Sequence, residues 1–459
     1  MRSAKSDTGN IITDNRSKKT TDNNNVGEGA IYAKTDLKLK GSGTLVVTGN
    51  YNNGIHTSKD LTIQKETLKV TGYNNAIKGN NSVTISSGVV HAYSVTGDGI
   101  KTEDSDVSSS GNQKGTVTIN GGTVYVNALH DAVDASYDVV VDQVDETIPT
   151  VITLKTGTKS STYSSSTFKA DSEKGLKATN SITINNGDIT IAASDDAIHA
   201  NYGTTLGNSL KGTGNILVNG GTIKIASGDD GIHSDNTLTI NGGTIYVTNA
   251  SEGFEANYYV INGGKSYIYG TDDGVNCSTK SFSNCSFTMN DGYLDVAVSS
   301  GDTDGIDSNG NFTLNGGVII TRGSSGTGSN MSTGLDVDGT CSITGGTLIA
   351  FNGLETKPTT SSNILYAGTS GANSNNGGGM NPPGGGTPKF ASNITSASIS
   401  GGEYTLTGTN IDISFVNDYS YSSFLIYSSL LQTGSTYTLS RSGSTIYSWS
   451  QSSSSVTIS

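Results

Sequence analysis

The sequence is short of the residues that ordinarily build a globular interior. Only 32% of its 459 residues are hydrophobic, a single tryptophan is present, and charged residues make up 15%. No apolar run reaches the length that spans a membrane. There are 5 prolines and 3 cysteines. Cys277, Cys285 and Cys341 are odd in number and fit no zinc spacing, so they read as small buried hydrophobes. Basic residues are outnumbered, 27 against 40 acidic ones, for a net charge of -13. That balance excludes nucleic acid as a partner, because phosphate binding needs a basic surface. Cations are the natural counterpart, although plain solubility also accounts for an acidic surface. A chain this polar would be disordered unless many repeated turns share one small core.

What is plentiful is glycine, 61 residues, and it recurs in a fixed phrase. A Gly or Ala precedes an apolar residue; then come Leu-Thr-Ile, Asn-Gly-Gly-Thr and Ile-x-Val. The clearest copy runs from Asp229-Asp230-Gly231-Ile232-His233-Ser234 through Leu238-Thr239-Ile240 and Asn241-Gly242-Gly243-Thr244 to Ile245-Tyr246-Val247. The apolar position falls at Ile31, Ile55, Ile77, Ile100, Val133, Leu176, Ile198, Ile232, Phe254, Val275, Ile306 and Leu335. The shortest spacings, 21 to 24 residues, match one circuit of a three-sided coil. The longer ones carry insertions at 105–114, 145–167 and 202–214. A leucine-rich repeat lacks its consensus here, and a propeller blade needs about 40 residues. Aliphatics alternate with Thr or Tyr, as a strand with one buried face requires. The expectation is an all-β chain, a parallel β-helix of about twelve coils. Asn120, Asn219, Asn241, Asn262, Asn290 and Asn315 recur at the turn and are expected to stack as an amide ladder.

Residues 1–26 are polar, lack the repeat and are expected to fray. Residues 27–355 carry the coils. Residues 356–390, rich in Gly, Ser and Asn, read as a linker or loop. Alternation resumes in 391–459, a small β unit that either caps the coil end or stands as a separate module. Met1 opens a polar segment without a visible signal peptide, which reads as a truncated or processed start to a protein that is otherwise extracellular or cell-surface in character.

The residue before each Gly or Ala is acidic in many coils, including Asp98, Asp131, Asp196, Asp230, Glu252, Asp273 and Asp304. Asp195, Asp229 and Asp272 precede it, and Asp134, Glu255, Asp307 and Asp336 follow the apolar residue. Stacked coils bring such groups to about 4.8 Å, where two like charges repel by roughly 0.9 kcal/mol even in water. Raised pKa values, basic side chains or hard cations relieve that repulsion. Lys101, Lys177, His199 and His233 are interleaved but are too few. Calcium is therefore expected on Asp195, Asp196, Asp229, Asp230, Glu252, Glu255, Asp272, Asp273, Asp304 and Asp307, centred on the three Asp pairs. The plainer alternative is that these side chains only bond turn amides.

Gly228-Asp229-Asp230-Gly231-Ile232-His233-Ser234, Ser194-Asp195-Asp196-Ala197-Ile198-His199-Ala200 and Thr303-Asp304-Gly305-Ile306-Asp307-Ser308, each with its following turn, resemble the bacterial carbohydrate-binding β-helix family typified by clostridial cellulose- and pectin-binding proteins. The similarity covers roughly Gly27 to Asn352. The resemblance implies secretion, a pectate-lyase-like right-handed β-helix, bound calcium, and affinity for plant cell-wall polysaccharide such as cellulose or polygalacturonate. Tyr125, Tyr246 and Tyr267, with Lys224 in the same column, are the candidate carbohydrate-binding residues. Tyrosine also simply suits exposed strands. Two rivals stand beside a non-catalytic binder. One is a calcium-dependent polysaccharide lyase, with Lys101, Lys177, His199 or His233 as base; the other is a surface adhesin or spacer. An ice-binding face is disfavoured, since Thr123, Thr222, Thr244 and Thr347 make only one interrupted column.

Overall fold

The computed structural model describes residues 9–20, 27–157, 172–207, 211–301, 303–324, 332–367, 399–421 and 424–458. Among them there is no helix, and so none that could cross a membrane. The chain is all-β. It divides into two units, Met1–Ile245 and Tyr246–Ser459, described separately below.

In the first unit most circuits lay down three short strands. One circuit is Asn53–Thr57, Asp60–Gln64 and Glu66–Gly72, and the next is Ile77–Gly79, Ser82–Ile85 and Gly88–Ser94. Each strand pairs in parallel with its equivalent one circuit on. Leu61 and Ile63 are fully buried while Thr62 between them is not, so the period of two selects which side chains enter the core. The repeat positions lie in register, from Ile31 on Ile55 to Ile77, Ile100, Val133, Leu176, Ile198 and Ile232. This parallel stacking at the sequence period is compatible with a β-helix.

The turn into the third strand depends on glycine. Gly221 has φ of 87°, and a Cβ there would come within 2.6 Å of the Gly187 carbonyl oxygen one circuit below. Conformation and space both exclude a side chain. Beside that turn the amide ladder forms: Asn219 donates to Asn185 and Asn241 to Asn219, each at 2.8 Å. Asn185 was not among the expected members, whereas Asn120 keeps a buried Oδ1 without a partner.

Two readings of the first unit change. Asn10–Asp14, in the segment expected to fray, is a strand parallel to Thr44–Gly49. Thr150–Thr156, assigned to an insertion, is a strand paired with Gly122–Ala128 and Asp188–Ala192. Its buried Ile152 and Leu154 supply that circuit's share of the core, so the inserted part is shorter. Residues 158–167 of that insertion lie outside the described residues. The insertion at 202–214 includes an antiparallel pair, Tyr202–Thr205 with Lys211–Thr213.

The second unit repeats the pattern, with Phe254, Val275, Ile306 and Leu335 in register. Its amide ladder runs from Asn262 to Asn290 and Asn315. Strand Thr347–Phe351, parallel to Val318–Arg322, is covered on its other edge by the antiparallel Phe424–Ser428, which pairs in turn with Asn363–Ala367. The latter strand falls in the stretch read as a linker; residues 368–390 of that stretch lie outside the described residues. Strands Gly402–Gly408, Ile411–Asn417, Thr436–Arg441 and Ser444–Ser450 form an antiparallel sheet. Its apolar face, including Leu406, Phe415 and Leu439, packs with Ile320, Ile349 and Phe351 of the parallel strands. The C-terminal β unit thus covers both an edge and part of an outer face, which meets the need to protect an open strand.

Candidate functional site

The acidic columns come together in the first unit as a ladder with two functions. One oxygen of each of Asp98, Asp131 and Asp196 accepts a backbone N–H from the next circuit: Asp131 N–H donates to Asp98 at 3.2 Å, Lys174 N–H to Asp131 at 2.7 Å and Asp230 N–H to Asp196 at 3.1 Å. The other oxygen meets a cation. Lys101 bridges Asp98 and Asp134 at 2.7 and 2.5 Å, and Lys177 reaches Asp131 at 2.9 Å. Lys174 reaches Asp195 at 2.8 Å and Asp196 at 2.6 Å. Burial alone would make Lys101 and Lys177 less basic, but the flanking carboxylates outweigh it and hold both ammonium groups above their ordinary range.

Further along, His199 and His233 stack with ring centroids 4.3 Å apart and planes 4° from parallel. Their Nδ1 atoms meet Asp196 at 2.6 Å and Asp230 at 2.8 Å. Both Nε2 atoms face Oδ1 of Asp235, at 3.3 and 3.2 Å. Burial lowers the affinity of His233 for a proton, yet hydrogen bonds to Asp230 and Asp235 more than reverse this. Asp235 escaped the sequence reading. The available signal was the period of two along Ile232–Ile240, which puts His233 and Asp235 on one face. Of the acidic residues expected to hold calcium, Asp195, Asp196 and Asp229 present oxygens within 4.8 Å of one another.

In the second unit Glu255 is met by Lys280 at 2.6 Å, and Glu252 accepts from Asn276 at 3.0 Å. Asp272 is exposed. Asp273 accepts the Asp304 N–H at 2.8 Å, Asp304 accepts the Thr333 hydroxyl at 2.8 Å, and Asp307 accepts from Asn309 at 3.1 Å. Among the described residues no ion pair neutralises Asp273, Asp307 or Asp336. Burial, reinforced by neighbouring carboxylates, pushes Asp273 up to about 8 and Asp307 to about 7. Burial and Glu355 push Asp336 to about 9, and its Oδ1 is buried without a hydrogen-bond partner.

The outward face of the third strands carries the aromatic residues. In the first unit Lys69, His91, Tyr125, Thr153, Thr190 and Lys224 form one register column. His91, not anticipated, stacks on Tyr125 at 4.8 Å with planes 13° apart. Lys224 is in Tyr125's column but three strands away, about 14 Å. In the second unit Tyr246 and Tyr267 stack at 5.1 Å, 8° from parallel. Tyr293 tilts against Tyr267 at 5.6 Å and donates its hydroxyl to the Ser414 carbonyl at 3.2 Å. Burial, with Tyr419 close by, raises the Tyr269 hydroxyl above its ordinary range. The C-terminal sheet therefore borders this tyrosine patch, a long-range approach that local spacing does not disclose.

A family model described as carbohydrate-binding domain-containing protein matches residues 3–209, 203–253 and 229–418. A local similarity, 39% identical over 70 residues, links 15% of this chain to 22% of a carbohydrate-binding domain-containing protein of Acetivibrio thermocellus. The chain thus matches only about a fifth of that relative's length. No solved structure matches. With most of its length covered by the family model, the chain belongs to the family of carbohydrate-binding domain-containing proteins.

Proposed function

We propose that this is a secreted, non-catalytic protein that binds calcium and recognises plant cell-wall polysaccharide, cellulose or polygalacturonate. Its body is a right-handed parallel β-helix of about twelve coils. The observation that carries the proposal is the Tyr246–Tyr267 stack, with Tyr246 exposed and Tyr267 half-buried, on the outer strand face of a chain in this family. Such rings offer apolar surface and a hydroxyl to a pyranose. Because Tyr267 lies between Tyr246 and Tyr293, sugar contact falls on the exposed part of Tyr246 and on the hydroxyl-bearing edges. The His91–Tyr125 pair repeats the motif, and the exposed Lys224 in its column supplies a charge for a uronate carboxylate.

For calcium the donor chemistry differs between the units. Lys174 already sits against Asp195 and Asp196, so a cation there competes with an ammonium group. Oxygens gathered within 4.8 Å are those of Asp195, Asp196 and Asp229. Asp304, Asp307 and Asp336 also offer carboxylate oxygens to a hard cation, and the buried Asp336 Oδ1 lacks a partner. A cation bound there would supply the missing positive charge. The lyase reading needs a free base. Lys101, Lys177 and His233 are instead engaged by carboxylates that keep them protonated.

Retention on insoluble cellulose and on pectate, with calcium and with EDTA, tests the reading. Retention on at least one is expected, and it should weaken about tenfold in Tyr246→Ala/Tyr267→Ala, the scale of a lost aromatic contact. Absence of retention on both would favour a spacer. Release of unsaturated oligouronides would favour the lyase.

A further inference from the structure

The paired histidines do more than balance charge. Each imidazole is oriented by a carboxylate at Nδ1, Asp196 for His199 and Asp230 for His233. That arrangement leaves Nε2 as the outward nitrogen and is the one that orients and activates histidines ligating a metal. Both Nε2 atoms converge on one further oxygen, Oδ1 of Asp235, whose Oδ2 is held by the Tyr202 N–H at 2.9 Å. Two ligand atoms about 2.0 Å from a tetrahedral ion stand about 3.3 Å apart. The observed separations are 3.3 and 3.2 Å. The rings are parallel with centroids 4.3 Å apart, so tilting the two rings toward each other over Asp235 brings their nitrogens onto one ion. The side chains of His199, His233 and Asp235 retain 11, 15 and 21% of their exposure, so an ion can enter from solvent and keep a water as its fourth ligand.

We propose that His199, His233 and Asp235 form a binding site for a borderline divalent transition ion such as zinc. Two imidazoles and one carboxylate suit such an ion, whereas calcium prefers six to eight oxygens. On binding, the ion takes the place between the two Nε2 atoms and Asp235 Oδ1, and any proton held there is released. The site uses none of the tyrosines and none of Asp304, Asp307 and Asp336, so its failure is distinguishable from a failure of glycan or calcium binding.

Zinc chloride titrated calorimetrically into the chelator-stripped full chain, in excess calcium, tests this. One zinc per chain is expected. His199→Gln and His233→Gln should each weaken binding by about 100-fold, and Asp230→Asn by about 10- to 100-fold through the lost orientation of His233. Absence of uptake, or equal uptake by the His199→Gln/His233→Gln variant, overturns the site. Should those variants fail to fold, imidazole nitrogen spectra of the unaltered protein decide. Zinc is expected to shift two of its five histidines, His199 and His233; shifts confined to His56, His91 or His130 would overturn it.

Discussion

A buried aspartate in the first unit has two oxygens and uses them differently. In Asp98, Oδ1 holds the Asp131 backbone and Oδ2 holds Lys101. Turn hydrogen bonding and charge compensation, which sequence spacing poses as alternatives, are therefore satisfied together by one side chain. Removing the cation leaves the carboxylate buried and bonded on one side only. Lys177→Met is expected to cost about 3 kcal/mol, the scale for breaking a partly buried pair, and to lower the urea midpoint. An unchanged midpoint would mean that solvent reaches Asp131 and screens it. Which lysine meets which aspartate was not legible locally, because Lys177 and Asp131 are 46 residues apart in sequence and meet only through the register of their strands.

At the scale of the strand and turn, local rules carried further. The alternation in Ser181–Ile184 or Ser82–Ile85 states directly which side chains are buried. Strand Thr150–Thr156 alternates in the same way but lies inside the 43-residue interval between Val133 and Leu176, whose excess length reads as insertion. The glycine turns are legible because only glycine tolerates both the backbone angle and the close carbonyl. Gly221→Ala is expected to cost about 2 kcal/mol or more, combining left-handed backbone strain with the contact to Gly187. A melting temperature equal to that of the parent would show that the turn can relax.

Over the molecule as a whole, the uncompensated carboxyls of the second unit set a pH dependence. Asp273, Asp307 and Asp336 hold protons up to about 8, 7 and 9 in the folded chain. Unfolded aspartates release theirs near about 4. Between those values the folded state binds more protons, so stability contributed below about pH 4 is lost as pH rises through about 7 to 9. In EDTA the calorimetric midpoint is expected to fall from about pH 5 to 9, and millimolar calcium should raise it most at the alkaline end. A midpoint that rises with pH in EDTA would contradict the raised values.

The amino-acid sequence by itself determined the strand class, the repeat positions that stack in register and the existence of acidic columns, because each follows from periodicity and turn chemistry within one circuit. Only the tertiary structure decided that Asp235 closes the histidine pair, that Lys174 occupies the Asp195–Asp196 position, and that Tyr293 meets the C-terminal sheet. The physical reason is distance along the chain. Register between circuits depends on insertion lengths, and packing of the C-terminal sheet on Ile320, Ile349 and Phe351 depends on apolar surface that no single repeat contains.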